Sequence, residues 1–377
     1  MTDEQRPGAR DGGSSRTVGV EEEFLLVSSD ADHLVAAGDR VARLARVLAG
    51  ESDAADHELK QEQAEIGSKP CSSLDDLRAQ LVARRHALAA AAASMDARVA
   101  ALATCPLAGQ SSTTEQPRYR RLIELAGPVA GDEQLTCGQH VHVGVASDEE
   151  AVAAVDRLQQ WLPTLRALCA NSPFWRERDT EHASYRSVLW DRWPTAGGTQ
   201  PFGSAAAYRD TVERLIASGA ALDEQAIYFD ARVSARYPTV EIRVADVSVD
   251  VERAVAIAAL CRALVDESVR RWQQGEPAPS IRPEFLRAAA WTAGRSGMSG
   301  RLLVLPGFEP VAASDALGRL VDFARPALER FGDGDVVDAE LVRVRSSGTG
   351  ADEQRALVRA GADMQALTAW ACDRTTA

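Results

Sequence analysis

The segment Thr17-Val-Gly-Val-Glu-Glu-Glu-Phe-Leu-Leu-Val27 decides how the rest of the chain is interpreted. Its branched and large apolar residues favour an extended strand. Side chains two apart on a strand point to the same face, so Glu21 and Glu23 share one face while Val20 and Phe24 share the other. The segment therefore predicts a strand with an apolar face for a core and an acidic face that needs water or a compensating charge.

Two later segments, residues 134–145 and 239–247, repeat this arrangement. Each is predicted to be a strand with two polar side chains on one face and branched apolar side chains on the other. The polar pairs are His140 with His142, and Glu241 with Arg243.

Like charges on one sheet face repel and raise the pKa of their carboxyl groups, and a bound divalent cation removes that penalty. Mg²⁺ and Mn²⁺ both take carboxylate oxygens, and Mn²⁺ accepts imidazole nitrogen more readily. A solvated sheet face is the ordinary explanation for any single pair. Three such pairs, each inside an otherwise apolar strand, favour a site for Mg²⁺ or Mn²⁺.

Residues 59–66 are ambiguous between helix and strand. In a helix, Glu58, Glu62 and Glu65 would share one solvated face. In a strand, they could add a carboxylate to the same site. Periodicity alone does not decide between the two.

The rest of the chain is mostly helical in pattern. One further strand is predicted at 227–233, joined to the strand at 239–247 by a turn at Arg236-Tyr-Pro238. The predicted helices are 39–48, 73–103 with Ser73 as its N-cap, 149–169, 251–272, 282–294, 313–331 and 351–370. This order predicts an α+β fold in which helices cover one face of a sheet. Residues 1–16 are predicted to be a disordered tail, and 17–377 a single domain.

The composition excludes several classes of partner. The chain has 377 residues and a net charge of −13, so no basic surface is expected for nucleic acid or anionic membranes. The six cysteines are scattered and form no CxxC pair, which favours free thiols. No apolar run is long enough to span a bilayer, and residues 1–16 lack the apolar part of a signal peptide. A cytoplasmic location is therefore predicted.

No glycine-rich phosphate loop of a known type is present. If ATP binds, its phosphates must be held by metal and by arginine, whose planar fork suits phosphate. The candidates are Arg186, Arg232, Arg236 and Arg243. A long loop, residues 171–204, contains three of the seven tryptophans, and its length indicates a functional segment.

Five segments in order resemble the type 2 glutamate–cysteine ligase family, also called the carboxylate–amine ligase family. The resemblance runs from about Val18 to about Arg355. The segments are Gly19-Val-Glu-Glu-Glu-Phe, Gly138-Gln-His-Val-His-Val-Gly144, Ser172-Pro-Phe-Trp175, Ala183-Ser-Tyr-Arg186 and Pro238-Thr-Val-Glu-Ile-Arg243.

The resemblance implies a curved, mostly antiparallel sheet backed by helices, like the catalytic domain of glutamine synthetase. It implies a site on the concave face for divalent metal, ATP and an amino acid. The implied metal ligands are Glu21, Glu23, Glu65, His142 and Glu241, with Glu58 matching less closely. The resemblance also implies that His142 and Arg243 lie near the nucleotide phosphates. With the candidate arginines above, His142, Arg236 and Arg243 are predicted to bind the nucleotide, and Arg243, Arg232 and Arg186 to act in catalysis.

The activity implied is an ATP-dependent ligation of a glutamate-like carboxylate to an amine such as that of cysteine, through a γ-glutamyl acyl phosphate. The amine acceptor is left open, and a homodimer is one of the assemblies left open. Three alternatives remain: a metal-dependent hydrolase, a guanidino phosphotransferase on the same metal site, and a non-enzymatic binding protein.

Overall fold

The computed structural model describes residues 16–127, 131 and 133–377. The tail predicted to be disordered lies outside these residues except for Arg16, whose guanidinium donates to the Asp266 carboxylate at 2.7 Å. None of the helices described is long and apolar enough to cross a lipid bilayer. All six cysteines fall in the described part, where they are buried free thiols.

The described part of the chain contains one seven-stranded sheet and two short hairpins. The strands are β1 Val18–Ser28, β2 Ala55–His57, β3 Gln63–Gly67, β4 Ala97–Ala100, β5 Gly138–Gly144, β6 Phe174–Trp175, β7 Arg178–Asp179, β8 Ala231–Val233, β9 Thr239–Asp246, β10 Arg301–Val304 and β11 Glu309–Ala312. The large sheet has the order β2-β3-β1-β5-β9-β8, and β4 pairs with the end of β1. Every pairing in it is antiparallel, which confirms the predicted α+β class.

Helices make up most of the remaining described chain. They are α1 Gly38–Ala49, α2 Leu74–Ala93, α3 Pro117–Ala126, α4 Asp148–Leu158, α5 Leu162–Leu168, α6 Tyr185–Trp190, α7 Ala205–Ala217, α8 Val251–Gln273, α9 Pro283–Ser296, α10 Ala313–Phe331, α11 Gly334–Ser347, α12 Gly350–Arg359 and α13 Met364–Thr375. The predicted N-cap of α2 is present, since the Ser73 hydroxyl accepts the Asp76 N–H at 3.1 Å.

The apolar face of the sheet forms the main core. Val20, Val141 and Ile242 on this face are almost completely buried in one cluster with side chains of α2, α4, α5, α8 and α10. Burial of such side chains is the dominant favourable contribution to folding. The opposite face of the sheet carries the polar pairs. Its position is therefore fixed by the packing of the apolar face against the helices.

Two predictions of secondary structure are settled by pairing with β1. The ambiguous segment 59–66 contains β3, which lies antiparallel to β1. The helix predicted at 73–103 ends at Ala93, because Asp96 has a φ of +54° and the chain turns back into β4. Alanine favours helix locally, but the segment Ala97–Ala100 gains buried hydrogen bonds by pairing with Leu25–Ser28.

Other predicted elements are divided or incomplete. The helix predicted at 149–169 is two helices, and the one predicted at 351–370 is interrupted at Gly361, where φ is +102°. The strand predicted at 227–233 is regular only in β8. The loop 171–204 contains β6, β7 and α6. Helices α3, α7 and α11 and the hairpin β10–β11 were not predicted.

A buried ion pair between β1 and α2 also contacts the C-terminal helix α13. Glu22 points to the core side of β1, where Arg85 of α2 donates two hydrogen bonds to its carboxylate, at 3.0 and 2.6 Å. The same guanidinium donates to the backbone carbonyls of Ser248 at 2.9 Å and Thr375 at 3.2 Å. Both charged side chains are almost fully buried, so each depends on the other for compensation.

We expect Glu22→Ala to lower the free energy of unfolding by about 3–5 kcal/mol, because the Arg85 charge would remain buried without its partner. Urea denaturation followed by circular dichroism measures this change. Asp338→Ala is a matched control, since it removes one partner of the exposed Arg325–Asp338 pair and should cost less than about 1 kcal/mol. Equal effects of the two substitutions would contradict the structural role of Glu22.

Candidate active site

Strand register brings the three predicted polar pairs together. Glu21 of β1 lies opposite His140 of β5, and His142 of β5 lies opposite Glu241 of β9. The Nε2 atom of His142 lies 3.4 Å from Oε2 of Glu21, and Nδ1 of His140 lies 3.6 Å from the same oxygen. The Nδ1 atom of His142 is hydrogen-bonded to the Thr239 hydroxyl at 3.0 Å. The imidazoles and carboxylates predicted from the three strands therefore meet on one sheet face.

A second acidic group lies beside the first. Glu23 of β1 is directly opposite Glu65 of β3, and Nε2 of His140 lies 3.8 Å from Oε1 of Glu23. The other oxygen of Glu23 accepts the Gly138 N–H at 2.6 Å. Glu58, just after β2, contacts the Glu65 carboxyl group, so the segment that was ambiguous in sequence supplies two carboxyl groups here.

These side chains line a cavity of about 210 Å³. Besides the sheet residues, its wall includes the first turns of α3, two tryptophans of the long loop and the turn between β8 and β9. The lining residues from outside the sheet include Arg118, Tyr119, Leu122, Trp190, Trp193, Gln225, Tyr228, Arg236 and Tyr237.

Two arginines hold Glu241. The Arg232 guanidinium donates to both oxygens of Glu241, at 2.7 and 3.1 Å, and its remaining nitrogen donates to the carbonyls of Gln225 and Ile227. Arg243 donates to the carboxylate from the other side. All three nitrogens of Arg232 are thus engaged with the protein, whereas the buried Nε of Arg243 has no hydrogen-bond partner in the described part of the chain.

Arg186 lies behind the cavity wall rather than in it. It is almost fully buried, and its Nη2 donates to the Arg243 carbonyl at 3.3 Å. The rings of Trp190 lie 5.3 Å from the guanidinium carbons of both Arg186 and Arg243. A Cβ on Gly138 would come within 2.4 Å of the Arg186 guanidinium, so a larger residue there would require the guanidinium to move.

Arg236 and Tyr237 lie at the mouth of the cavity. Both are exposed in the turn between β8 and β9, where the Ser234 hydroxyl accepts both of their backbone N–H groups at 3.3 Å. The Tyr237 ring packs edge-to-face on His142, with centroids 5.9 Å apart. Of the four candidate arginines, Arg236 is therefore the most accessible to a ligand.

Burial and charge perturb the titration of the acidic groups. Burial and repulsion from Glu58 raise the pKa of Glu23 to about 8, and burial with the Glu21 and Glu58 charges raises the pKa of Glu65 well above its ordinary value. Burial likewise raises the pKa of Glu58. The negative charges of these three carboxyl groups are therefore not fully compensated by neighbouring positive side chains.

The groups nearer to arginine behave differently. Burial alone would raise the pKa of Glu241, but Arg243 and Arg232 lower it far below its ordinary value. Burial, together with the charge of Arg243, lowers the pKa of His140 to about 4. For His142, burial is outweighed by the Glu21 carboxylate, which raises the pKa. The pKa values of the two imidazoles are therefore shifted in opposite directions, although the residues are only two apart.

Asp246, which was not predicted, joins the long loop to the sheet. Its carboxylate accepts the Asn171 N–H at 2.8 Å and the hydroxyls of Ser172 at 2.7 Å and Ser184 at 2.9 Å, and it lies 4.0 Å from Arg186. The alternation from Glu241 would place Asp246 on the core face. An irregularity in the pairing of β5 with β9 occurs in this part of the strand.

Two groups of side chains that line the cavity have ligand atoms close enough for one metal ion each. The groups are Glu21 with His140 and Glu241, and Glu23 with Glu65 and His140; within each, the ligand atoms lie within 4.8 Å of one another. His142 does not complete either group, although its Nε2 is buried and has no hydrogen-bond partner among the described residues. His140 was present in the predicted pair but was not among the predicted ligands.

The fold is shared with solved structures of ligases. A glutamate–cysteine ligase from Francisella tularensis, solved in complex with AMP, superposes with a TM-score of 0.71 over 97% of this chain and 89% of that one, at 13% identity. A bifunctional glutathione synthetase from Pasteurella multocida gives a TM-score of 0.65 over 96% of this chain and 52% of that one, at 15% identity.

The sequence comparisons define the class and then the family. The sequence model described as glutamate-cysteine ligase family 2 matches residues 17–370. A Frankia alni protein named "Putative glutamate--cysteine ligase 2-2" is 49% identical over 90% of this chain and 92% of its own length. A Streptomyces coelicolor protein named "Putative glutamate--cysteine ligase 2" is 42% identical over 96% and 99%.

The class of protein is therefore that of ATP-dependent ligases that form a carbon–nitrogen bond. The chain belongs to glutamate–cysteine ligase family 2. The resemblance found in the sequence is confirmed over nearly the whole chain.

Proposed function

We propose that this ligase joins the γ-carboxylate of glutamate to the amino group of a second small molecule, such as cysteine, through an acyl phosphate. The observation that carries the proposal is the meeting of Glu21, Glu65, His142 and Glu241 with Arg243 around one cavity on the polar sheet face. Residues 17–377 act as a single catalytic domain in this proposal.

The residues of the cavity fit divalent ions. Mg²⁺ or Mn²⁺ would be held by Glu21, Glu23, Glu65, His142 and Glu241. Suitable donors are buried carboxylates whose negative charge is not compensated, and a buried imidazole nitrogen without a hydrogen-bond partner among the described residues. Bound ions would neutralise the charge of the phosphates and of the transferring phosphoryl group. The match to a glutamate–cysteine ligase structure solved with AMP supports the use of a nucleotide.

The arginines supply fixed positive charge for phosphoryl transfer. His142, Arg236 and Arg243 would face the phosphates, because all three line the cavity and Arg236 is exposed at its mouth. An oxygen of the γ-carboxylate attacks the γ-phosphorus of ATP, the bond to the β-phosphate oxygen breaks, and ADP leaves. Arg243 stabilises the charge of the moving phosphoryl group, Arg232 keeps Glu241 in place, and Arg186 supports Arg243 from behind.

The second step needs an acyl phosphate protected from water. The amine nitrogen attacks the acyl carbon, phosphate departs, and the nitrogen loses a proton. Trp190 and Trp193 of the long loop form part of the cavity wall. The Asp246 carboxylate of β9 accepts a hydrogen bond from Ser172 of the same loop. These contacts support a role for the loop in excluding water. Positioning of this kind can contribute about 7–11 kcal/mol toward lowering a barrier.

The proposal is tested by ADP release in the presence of ATP, metal, glutamate and a panel of amines, with mass spectrometry of the products. We expect release that depends on both glutamate and an amine, with one γ-glutamyl amide formed per ADP. Phosphorylated acceptor without amide would indicate a guanidino phosphotransferase instead. Hydrolysis of an added amide without ATP would indicate a metal-dependent hydrolase. The amine that gives the highest kcat/KM identifies the acceptor, and sedimentation of the same sample shows whether the chain forms a homodimer.

Metal affinity should rise with pH. Below about pH 8, the raised pKa of Glu23 keeps its carboxyl group protonated, and a metal ion must displace that proton; above that pH no such competition remains. We expect the apparent affinity for Mn²⁺ to increase by up to about tenfold per pH unit from pH 6.5 to 8 and then to level off. Titration calorimetry in buffers of different ionisation enthalpy measures the proton released. Equal affinity at pH 6.5 and 8, with no proton release, would contradict the prediction.

A further inference from the structure

Arg166 of α5 carries a buried guanidinium that lies outside the cavity lining. Its side chain is 3% exposed, and its Nη2 donates to Oδ1 of Asp230, which is also buried, at 2.8 Å. Its Nη1 is buried and has no hydrogen-bond partner among the described residues. Burying two charges is costly, and a well-packed apolar pair of the same volume is often at least as stable. Stability alone therefore does not account for the Arg166–Asp230 pair.

Asp230 connects Arg166 to Arg243. It immediately precedes β8, and its backbone carbonyl accepts the Arg243 N–H of β9 at 2.9 Å. The Asp230 N–H donates to the Gly197 carbonyl of the long loop, also at 2.9 Å. Asp230 thus binds α5 through its side chain, and β9 and the long loop through its backbone. A shift of its carboxylate relative to α5 is therefore transmitted to the backbone of Arg243.

A second contact of Arg166 reaches the same region but is weaker. Its Nη1 lies 4.0 Å from Oδ2 of Asp191, whose side chain is 42% exposed. Asp191 follows Trp190, and the Trp190 ring centroid lies 5.3 Å from the guanidinium carbon of Arg243. Ion pairs that are long and exposed to water contribute little. The short and buried contact with Asp230 is therefore the stronger of the two.

We propose that Arg166 is a positioning residue for Arg243, which it holds in place through Asp230. The fixed backbone of β9 determines where the Arg243 guanidinium meets the transferring phosphoryl group. This inference rests on the role of Arg243 in the proposed function, but not on the identity of either substrate. A displacement of about 1 Å in a group that stabilises the transition state can lower a rate by about 100-fold. Binding of glutamate in the ground state is affected less, so the loss belongs to kcat.

A double-mutant cycle between Arg166 and Arg243 tests the proposal. The full chain is assayed for ADP release at saturating ATP, Mg²⁺ and glutamate, with the most active amine of the panel. Arg166→Lys keeps the buried charge but loses the planar fork. We expect it to lower kcat by about tenfold and to change KM for glutamate by less than about twofold. In the Arg243→Lys background it should lower kcat by less than about twofold, because the fork that Arg166 positions is already lost.

The cycle separates positioning from a purely structural role. A structural defect would lower kcat by the same factor in both backgrounds, since independent effects multiply, and this result would overturn the proposal. Wild-type kcat in a folded Arg166→Lys protein would overturn it as well, while leaving the role of Arg243 intact. Wild-type kcat in Arg243→Lys would remove the proposed role of Arg243, and the inference with it.

Arg262→Lys is the matched control. Arg262 of α8 is 1% exposed and pairs with the buried Asp333, but it does not line the cavity. We expect this substitution to lower the melting temperature while leaving kcat within about twofold of the wild type, because the pair is remote from Arg243. An equal loss of kcat in Arg262→Lys and Arg166→Lys would show that kcat follows stability, and would contradict the proposal.

Two neutral variants identify the carboxylate involved and replace Arg166→Lys if that protein does not fold. Asp230→Asn keeps the shape of the side chain but removes the charge that holds Arg166, and we expect kcat to fall by at least about fivefold. Asp191→Asn makes the same change at the weaker contact and should leave kcat within about twofold of the wild type. Circular dichroism verifies that both are folded at the assay temperature. An equal or larger loss in Asp191→Asn would overturn the connection through Asp230.

Discussion

Glu241→Gln is expected to lower kcat for ATP-dependent ligation by on the order of a thousandfold, which corresponds to about 4 kcal/mol of barrier. The substitution removes the negative charge that holds both Arg232 and Arg243 on the cavity wall while keeping the volume of the side chain. It also removes a proposed metal ligand. Both effects act on the transferring phosphoryl group, so the loss should appear in kcat more than in KM for glutamate.

The structure also explains why glutamine is a better test than alanine. Glu241→Ala leaves two buried guanidinium groups facing one another, and we expect the free energy of unfolding to fall by about 3–5 kcal/mol. Activity is therefore compared well below the melting temperature of each variant, with ADP release and urea denaturation measured on the same preparation. A Glu241→Gln enzyme within tenfold of wild-type kcat would remove Glu241 from the catalytic site.

Arg243→Lys is expected to lower kcat by about 10²–10³-fold, or about 2.7–4 kcal/mol, while the protein remains folded. Lysine keeps the charge but loses the planar fork. In the structure the Arg243 guanidinium donates to Glu241, and its carbon lies 5.3 Å from the ring centroid of Trp190 and 5.9 Å from that of Tyr228. Its buried Nε has no hydrogen-bond partner in the described chain. A lysine ammonium cannot contact Glu241 and a phosphate oxygen in the same geometry.

Arg84→Lys is the matched control for this prediction. Arg84 is also a buried arginine in an ion pair, with Glu51 at 2.7 Å, but it lies on α2 and does not line the cavity. Its substitution should leave kcat unchanged. Steady-state kinetics with saturating ATP and glutamate compare the two variants. Similar small effects of both substitutions would show that the fork of Arg243 is not needed for phosphoryl transfer.

The acidic and basic pairs could be predicted because a strand has a period of two. That period alone places Glu21 with Glu23, His140 with His142 and Glu241 with Arg243, whatever the rest of the chain does. The apolar residues between them indicate which face is buried, so the polar face follows. The three central strands β1, β5 and β9 were therefore predicted correctly.

Elements that depend on a partner strand were less predictable. Residues 63–67 and 97–100 became strands because β1 offered unpaired backbone groups on that side, although their local composition suits a helix as well. Periodicity also does not report which histidine faces which carboxylate. The pairing of β1 with β5 places His140, rather than His142, close to both Glu21 and Glu23.

The sequence by itself determined that carboxylates, imidazoles and an arginine would lie on the polar side of an antiparallel sheet, because alternation along a strand is a local property. Only the tertiary structure decided the register between strands, the position of Arg186 next to Gly138, and the hydrogen bonds by which Asp246 holds the long loop against β9. These features depend on contacts between residues far apart in the chain, which no local pattern encodes. Alternation therefore identified the candidate residues, and strand pairing determined their arrangement.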